Sequence, residues 1–327
     1  MTEKDLMKAA DLLQKENNIL IASHLNPDGD SVGSALALTL ALKGLDKKVS
    51  LTTIEPVPSK YLFLPQTELV KEWKEVEGDH FNLFVVLDCS DLKRLEPLSD
   101  YLSKKDQLLN IDHHVTNQYF GFYNYVNPQA SSVGEIIFEL LKLMKIEINY
   151  EIALCLYVAI STDTGSFKFS NTTPRTHRIV AELIELGVDP AEVNRNVYEN
   201  VSKGGVMLIR EALKTLEFDC QDKIAYLTIT RKIMEKAGAR EEDTEGIINY
   251  ARNIRGVEVG ILFREISKGK TRVAFRSHDV DVSKLAAIYE GGGHPRAAGC
   301  QVDKDLATVR RVVLKQARLF INDLKNK

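Results

Sequence analysis

The strongest constraint on this chain is an alternation of apolar strands and helices. NNILIASHLNPDGD is a short apolar run that ends in a polar loop, and the following SVGSALALTLALKGL reads as a small-residue-rich, buried helix. KKVSLTTI, NLFVVLDCSD and QLLNIDHH continue the pattern as strands, the second ending in acid and the third in acid followed by imidazoles. Continuous apolar strands between helical patterns predict a parallel sheet with helices on both faces, an α/β fold. Ligands of such sheets sit outside the carboxyl ends of the strands, where the polar clusters fall, so the clusters are expected to converge.

Downstream, Ser132 stands three residues before Glu135 at the start of an apolar period, the signature of a capping box and a helix start. INYEIALCLYVAISTDTGSFKFSNT reads as a buried helix or strand, its length favouring helix, that delivers Asp163 into a Gly-containing turn. TPRTHRIVAELIELG follows as a helix with Pro174 near its start and Gly187 near its end. Beyond it come shorter strands, KIAYLTIT, VEVGILFREI and TRVAFRS, separated by helices. For 327 residues two domains are expected. They are a catalytic domain over 1–190 and a smaller α/β substrate-binding domain over 216–327, joined by a linker over 191–215.

A net charge of −3 argues against a general cationic coat for long duplexes. The sign is unevenly spread, however: residues 1–203 hold 20 Lys and Arg against 29 Asp and Glu, and residues 204–327 hold 23 against 17, or −9 and +6. That suggests a cation-binding half joined to an anion-binding half, with solvated surface charge as the plain alternative. The four cysteines, Cys89, Cys155, Cys220 and Cys300, show no CxxC or zinc-ribbon spacing. The amphipathic N-terminus has no apolar signal core, and no stretch approaches the roughly 18 apolar residues of a membrane span. A reducing cytoplasm is the expected location.

Four elements carry chemistry. His24, Asp28 and Asp30 lie in HLNPDGDS, where Pro27 and Gly29 force a turn. Asp88 follows the FVVL run and could alternatively cap a helix. Asp112, His113 and His114 form a strand-end trio that is costly to bury without partners. Asp163 sits among hydroxyls in STDTGSF, which alone would read as a turn. Together they offer the imidazoles of His24 and His113 with the carboxylates of Asp28, Asp30, Asp88 and Asp163, a ligand set for two ions. Mixed imidazole and carboxylate donors suit manganese or iron better than calcium. Two ions roughly 3.5–4 Å apart can activate one water and stabilise both oxygens of an in-line displacement at phosphorus, so phosphate ester hydrolysis is the expected reaction. In the second half, GGGHPRAAG joins Gly291, Gly292 and Gly293, which let backbone approach a ligand, to His294 and Arg296. Arg264 and Arg276, at the ends of strands, are candidates for further phosphate contacts, with ordinary surface arginine as the alternative.

HLNPDGDS, VVLDCSD, IDHH, STDTGSF and GGGHPRAAG, in this order, closely resemble the DHH phosphoesterase superfamily, and within it the NrnA-type nano-RNases, which also act on pAp. The resemblance spans essentially the whole chain, including the DHH-associated C-terminal domain. It implies that His24, Asp28 and Asp88 hold one metal and that Asp30, Asp88, His113 and Asp163 hold the other, with Asp88 as the bridge. It implies further that Asp112 orients imidazoles, that His114 faces the scissile phosphate or leaving oxygen, and that the GGGHPRAAG loop clamps the substrate.

The expected enzyme is therefore a two-metal phosphodiesterase working in the cleft between the domains, with manganese preferred and magnesium, cobalt or iron as substitutes. Its expected substrates are di- to penta-nucleotides of RNA and pAp, with no membrane and no long duplex as partner. A homodimer is compatible with the sequence. Cyclic di-AMP or its linear product pApA is the alternative substrate. A family II inorganic pyrophosphatase shares the metal motifs but not the glycine-rich clamp, and a silent nucleotide sensor is disfavoured by the complete ligand set.

Overall fold

The computed structural model describes residues 3–105 and 107–325, and the chain divides into two compact units, one ending at Asn200 and one beginning at Val201. The first unit runs α1 (Glu3–Lys15), β1 (Asn18–Ser23), α2 (Gly29–Lys43), β2 (Lys48–Thr53), β3 (Val70–Glu72), α3 (Trp73–Val76), β4 (Leu83–Leu87) and α4 (Ser99–Leu102). It continues through β5 (Leu108–Asp112), β6 (Tyr123–Val126), α5 (Val133–Leu143), α6 (Tyr150–Asp163), α7 (Pro174–Glu185) and α8 (Pro190–Tyr198). Its six strands are all parallel, in the order β3-β2-β1-β4-β5-β6. The chain lays strands outward in one direction from β1 and in the other from β4, so the order reverses between these two neighbours.

Both faces of this sheet are covered, as the uninterrupted apolar strands require. Ile19 and Ile21 of β1 pack with residues of α2, α5 and α6, and the alternate residues Leu20 and Ala22 pack with Trp73, Phe84, Val86 and Leu98. Each fully buried aliphatic side chain of this kind contributes about 1.5–3 kcal/mol. α2 is buried along almost its whole length. Gly29 and Gly33 make this possible: a Cβ at Gly29 would overlap the Thr162 side chain, and one at Gly33 would overlap the Cys155 carbonyl of α6. At α5, Ser132 caps the helix by accepting the Glu135 amide at 3.1 Å. The reciprocal half of the capping box does not form, because the Glu135 carboxylate instead accepts from Ser131 Oγ at 2.7 Å and Thr176 Oγ1 at 3.0 Å.

The interval 191–215, expected as a linker, is mostly helical. Asp189 caps α8 by accepting the Ala191 amide at 2.9 Å, and Ser202 caps α9 (Lys203–Leu213) by accepting the Gly205 amide at 2.8 Å. These two caps leave only a short break between the helices, and the division of units falls within it.

The second unit continues with β7 (Glu217–Asp219), β8 (Ile224–Ile229), α10 (Arg231–Ala237), α11 (Ile248–Arg252), β9 (Val259–Ser267) and β10 (Lys270–Ser277). It ends with α12 (Ser283–Ala287), β11 (Gly292–His294), β12 (Ala297–Val302) and α13 (Leu306–Lys325). The sheet order is β11-β12-β10-β9-β8-β7, antiparallel except for the β8–β9 pair. β9 and β10 are joined directly through Lys268 and Gly269 rather than through a helix; Gly269 has φ +79°, which glycine adopts without strain. One face packs Ile261, Phe263, Val273 and Phe275 with α12 and α13, and the other packs Leu227, Ile229 and Leu262 with α9 and α11. Among the described residues no helix is long and apolar enough to cross a membrane.

Candidate functional site

His24 directly follows β1, Asp88 follows β4, and Asp112 closes β5 with His113 and His114 behind it. Asp28 caps α2, Asp30 lies in its first turn, and Asp163 is the last residue of α6. The close α2–α6 contact at Gly29 and Gly33 carries Asp163 toward Asp28 and Asp30. The convergence therefore sits where the strand order reverses, the position that favours ligand sites in open parallel sheets. Among the described residues of the first unit, three groups have potential ligand atoms within 4.8 Å of one another: His24, Asp28 and Asp88; Asp30, His113 and Asp163; and Asp88, Asp112 and His114.

Asp88 joins these groups through its two oxygens. Oδ2 lies 3.3 Å from His24 Nε2, while Oδ1 lies 3.6 Å from both His113 Nε2 and His114 Nδ1. Asp88 Oδ1 is buried with no hydrogen-bond partner, a costly state for a carboxylate oxygen. His113 Nε2 also faces Asp30 Oδ2 at 3.8 Å and Asp163 Oδ2 at 3.7 Å. Apart from the 3.3 Å contact of His24 with Asp88, these separations are too long for hydrogen bonds, and all of them suit donors sharing an ion, since neighbouring ligands of a small divalent cation with bonds of about 2.1 Å stand about 3–4 Å apart.

The electrostatics agree. Burial, with neighbouring Asp163 and Asp28 adding to it against the opposing pull of His113, pushes Asp30 up to about 7. Burial raises Asp163 to about 6. Asp88 is driven well above the carboxylate range by burial and by Asp30, Asp28, Asp112 and Asp163 around it. Burial and then Arg94 press His24 down to about 4, keeping it neutral. His24 Nδ1 lies 2.7 Å from the Leu25 carbonyl, a contact that favours the tautomer leaving Nε2 free for a metal. Buried carboxylates that repel one another, an orphaned carboxylate oxygen and the neutral His24 imidazole together form a donor set that fits divalent cations.

Asp112 is differently engaged. It accepts the His113 amide at 2.8 Å, His114 Nδ1 at 2.7 Å and Asn117 Nδ2 at 2.6 Å. Burial would raise its pKa, but the hydrogen bond from His114 and the charges nearby hold it at about 2. It stands as an anion that orients its neighbours.

Several supporting residues escape sequence reasoning. Asp88 itself has φ +56°, a left-handed conformation that costs a non-glycine residue of order 1–3 kcal/mol. Its amide donates to Ile111 O at 3.0 Å, and the next carbonyl, Cys89 O, accepts from Asn110 Nδ2 and Asn117 Nδ2, both at 3.2 Å. Asn171 donates to Asp163 Oδ2 at 3.3 Å and to Ser131 O at 2.8 Å, and Arg94 Nη2 lies 3.0 Å from His24 Nδ1. Asparagine and arginine are common on loops, so only the hydrogen bonds single these residues out.

In the second unit, Arg276, Ala297 and His294 are direct neighbours across β10, β12 and β11, so Arg276 and His294 share one sheet face with only alanine between them. Arg276 is hemmed in: burial and then the nearby Arg252 lower its pKa. Arg264 is instead buried and committed to Glu241, with a second donor to Thr244 Oγ1 at 2.9 Å. Arg296 is exposed in the turn between β11 and β12. Gly291 and Gly293 are tight against their own neighbouring strand, since a Cβ on either would overlap β12 backbone, whereas Gly292 faces open space. The glycines thus first serve the β11–β12 pairing. His80, His177 and His278 lie outside all these clusters, His177 stacking at 5.6 Å on Phe167.

Residues 18–160 match the model of the DHH family N-terminal domain, and residues 221–323 match that of the DHHA1 domain. The bifunctional oligoribonuclease and PAP phosphatase NrnA of Thermus thermophilus is 33% identical over 96% of this chain and 91% of its own. Its namesake from Bacillus subtilis is 28% identical over 88% and 90%. Among solved structures, an exopolyphosphatase-related protein from Bacteroides fragilis superposes with a TM-score of 0.90 at 24% identity, covering 98% of each chain. RecJ of Thermus thermophilus in complex with Mn2+ superposes with a TM-score of 0.58 at 14% identity, over 98% of this chain and 55% of that one.

Proposed function

Because this chain belongs to the DHH family and is of NrnA type, we propose that it is a metal-dependent phosphodiesterase that hydrolyses short oligoribonucleotides to mononucleotides and converts pAp to AMP. The observation that carries this reading is Asp88, whose two oxygens face different donor groups and one of which is buried without a partner. One ion would be held by His24, Asp28 and Asp88, and the other by Asp30, Asp88, His113 and Asp163. Manganese is the preferred ion, because its ligand chemistry matches mixed imidazole and carboxylate donors. Such a pair, when bound, supplies Lewis acidity to the phosphate and lowers the pKa of the attacking water.

The protein's own contribution is arrangement. Asp112 fixes the His114 ring, which in this reading faces the scissile phosphate or the leaving oxygen. The row of Arg276 and His294, with Arg252 beside it, supports phosphate and base recognition in the second unit, with Arg296 on the adjoining turn. Arg264 and Arg272 on the same face pair with Glu241, so a short nucleotide fits better than a long strand that gains affinity from many backbone contacts. The four cysteines are free thiols, consistent with the reducing cytoplasm that this reading assigns.

The test is a side-by-side comparison of manganese-dependent turnover on RNAs of two to twenty-four nucleotides, pAp, pApA and cyclic di-AMP. Catalytic efficiency should fall beyond roughly five nucleotides, with a shallow salt slope reflecting two or three phosphate contacts. Equal cleavage of the longest RNA with a steep salt slope would replace this reading with a processive exonuclease. Preference for cyclic di-AMP or pApA would redirect it to those substrates.

A further inference from the structure

Arg94 lies in the short 3-10 turn Leu92–Leu95 after β4, and its own carbonyl accepts the Leu25 amide at 2.9 Å, which ties this turn to the segment behind His24. Among the described residues its guanidinium makes one hydrogen-bond contact, from Nη2 to His24 Nδ1 at 3.0 Å. That nitrogen already faces the Leu25 carbonyl at 2.7 Å. A neutral imidazole carries one ring proton. If Nε2 keeps its lone pair for a metal, the proton sits on Nδ1 and is donated to Leu25 O, so Arg94 presents an N–H to another N–H.

The other tautomer would let Nδ1 accept from Arg94, but it would set a nitrogen lone pair against the Leu25 carbonyl. It would also place the proton on Nε2, aimed at Asp88 Oδ2 3.3 Å away. Only a metal-free site tolerates that arrangement. In the metal-binding state the guanidinium therefore has donors beside the ligand set, close enough to Asp28 to stabilise its charge but with no hydrogen-bond acceptor among the described residues. Resting on the metal-dependent phosphoesterase reading, we propose that Arg94 receives a phosphate oxygen of the substrate, as a cation of the first unit that contacts the substrate directly. A planar guanidinium fork matches phosphate oxygens in a way an ammonium does not, and arginine clamps on transferred phosphoryl groups stabilise developing charge.

The experiment uses the full-length, manganese-loaded protein and the variants Arg94→Ala and Arg94→Lys. Turnover of a diribonucleotide, inhibition by inorganic phosphate and calorimetric titrations with manganese and with phosphate are measured on each. Arg94→Ala should lose about 10–100-fold in kcat/KM and bind inorganic phosphate at least about tenfold more weakly. Its manganese affinity should stay unchanged. Arg94→Lys should recover only part of the loss, and added guanidinium ion should restore part of the Arg94→Ala activity. Unchanged phosphate binding in Arg94→Ala would overturn the proposal, as would a loss of manganese affinity in parallel with activity, which would make Arg94 a positioning residue for His24. If Arg94→Ala does not fold, phosphate affinity in Arg94→Lys decides, and wild-type affinity there overturns the proposal. Should the wild type hydrolyse none of the phosphodiesters, the functional reading fails by itself, and phosphate calorimetry still judges Arg94.

Discussion

In the first unit, charge is buried: Asp30, Asp88, Asp112 and His113 are all shielded from solvent and come from ends of different strands and helices. In the second unit, Arg276 and His294 stand on β10 and β11, on either side of β12, half-exposed and separated by a single alanine. The first arrangement is expensive without a counter-ion and demands fixed geometry. The second costs less, because both side chains keep some contact with water, although burial and Arg252 already press on Arg276. Metal chemistry needs the former, and exchange of a small nucleotide needs the latter.

The sharpest way to break this contrast is Asp88→Asn. The amide keeps the shape but removes the anion facing both donor groups, and turnover should fall at least about a thousandfold while thermal unfolding stays cooperative. A tenfold loss would show that Asp88 does not bridge. On the other side of the contrast, His294→Ala, Arg276→Ala and Arg296→Ala should each cost about 10–100-fold in kcat/KM, the range of a lost charged hydrogen bond. Calorimetry should find manganese binding intact in all three, and loss of metal in any of them would merge the two roles.

Asn117→Ala probes how far the buried site depends on its supports, since this amide holds both Asp112 and the carbonyl after Asp88. Manganese affinity should weaken about tenfold, in line with the low end for loss of a residue that orients metal ligands. Wild-type affinity would mean that the strained Asp88 turn holds itself.

The smallest effect is on stability. Asp30, raised to about 7, and Asp88, also raised, bind protons more tightly folded than unfolded, as does His113. Stability from such groups is lost as pH rises through the folded pKa. His24, lowered to about 4, acts in the opposite direction but only below its unfolded value of 6.5. With metal chelated, melting temperature should therefore drop between pH 6.5 and 8, by an amount on the order of a few degrees. Saturating manganese should abolish the drop. A chelated protein equally stable at both ends of that range would contradict the burial argument.

The parallel sheet was legible because buried strands are written as unbroken apolar runs, and the polar groups at their ends are readable once strand ends are known. β3 and β6 left no such trace, being short edge strands with polar residues. The roles of Asn117 and Asn171 arise from contacts between segments, and no local pattern distinguishes them from ordinary loop amides. Arg264 shows the same gap from the other side: a strand-end arginine looks available in sequence, but Glu241 and Thr244, far away along the chain, engage it. Gly291 and Gly293 invited a reading in terms of a ligand, when the surface they closely approach is β12.

The contact of α2 with α6 through Gly29 and Gly33 works as a caliper. Asp28 and Asp30 hang from the first turn of one helix and Asp163 from the last turn of the other, so the spacing of these carboxylates is set by how deeply two backbones nest. A genetic screen would file Gly33→Val under folding, because the atoms its side chain would meet belong to Cys155 and Ala159 and not to any carboxylate or imidazole. Its phenotype would be that of a damaged metal centre, curable by excess manganese before it was curable by lowering the temperature.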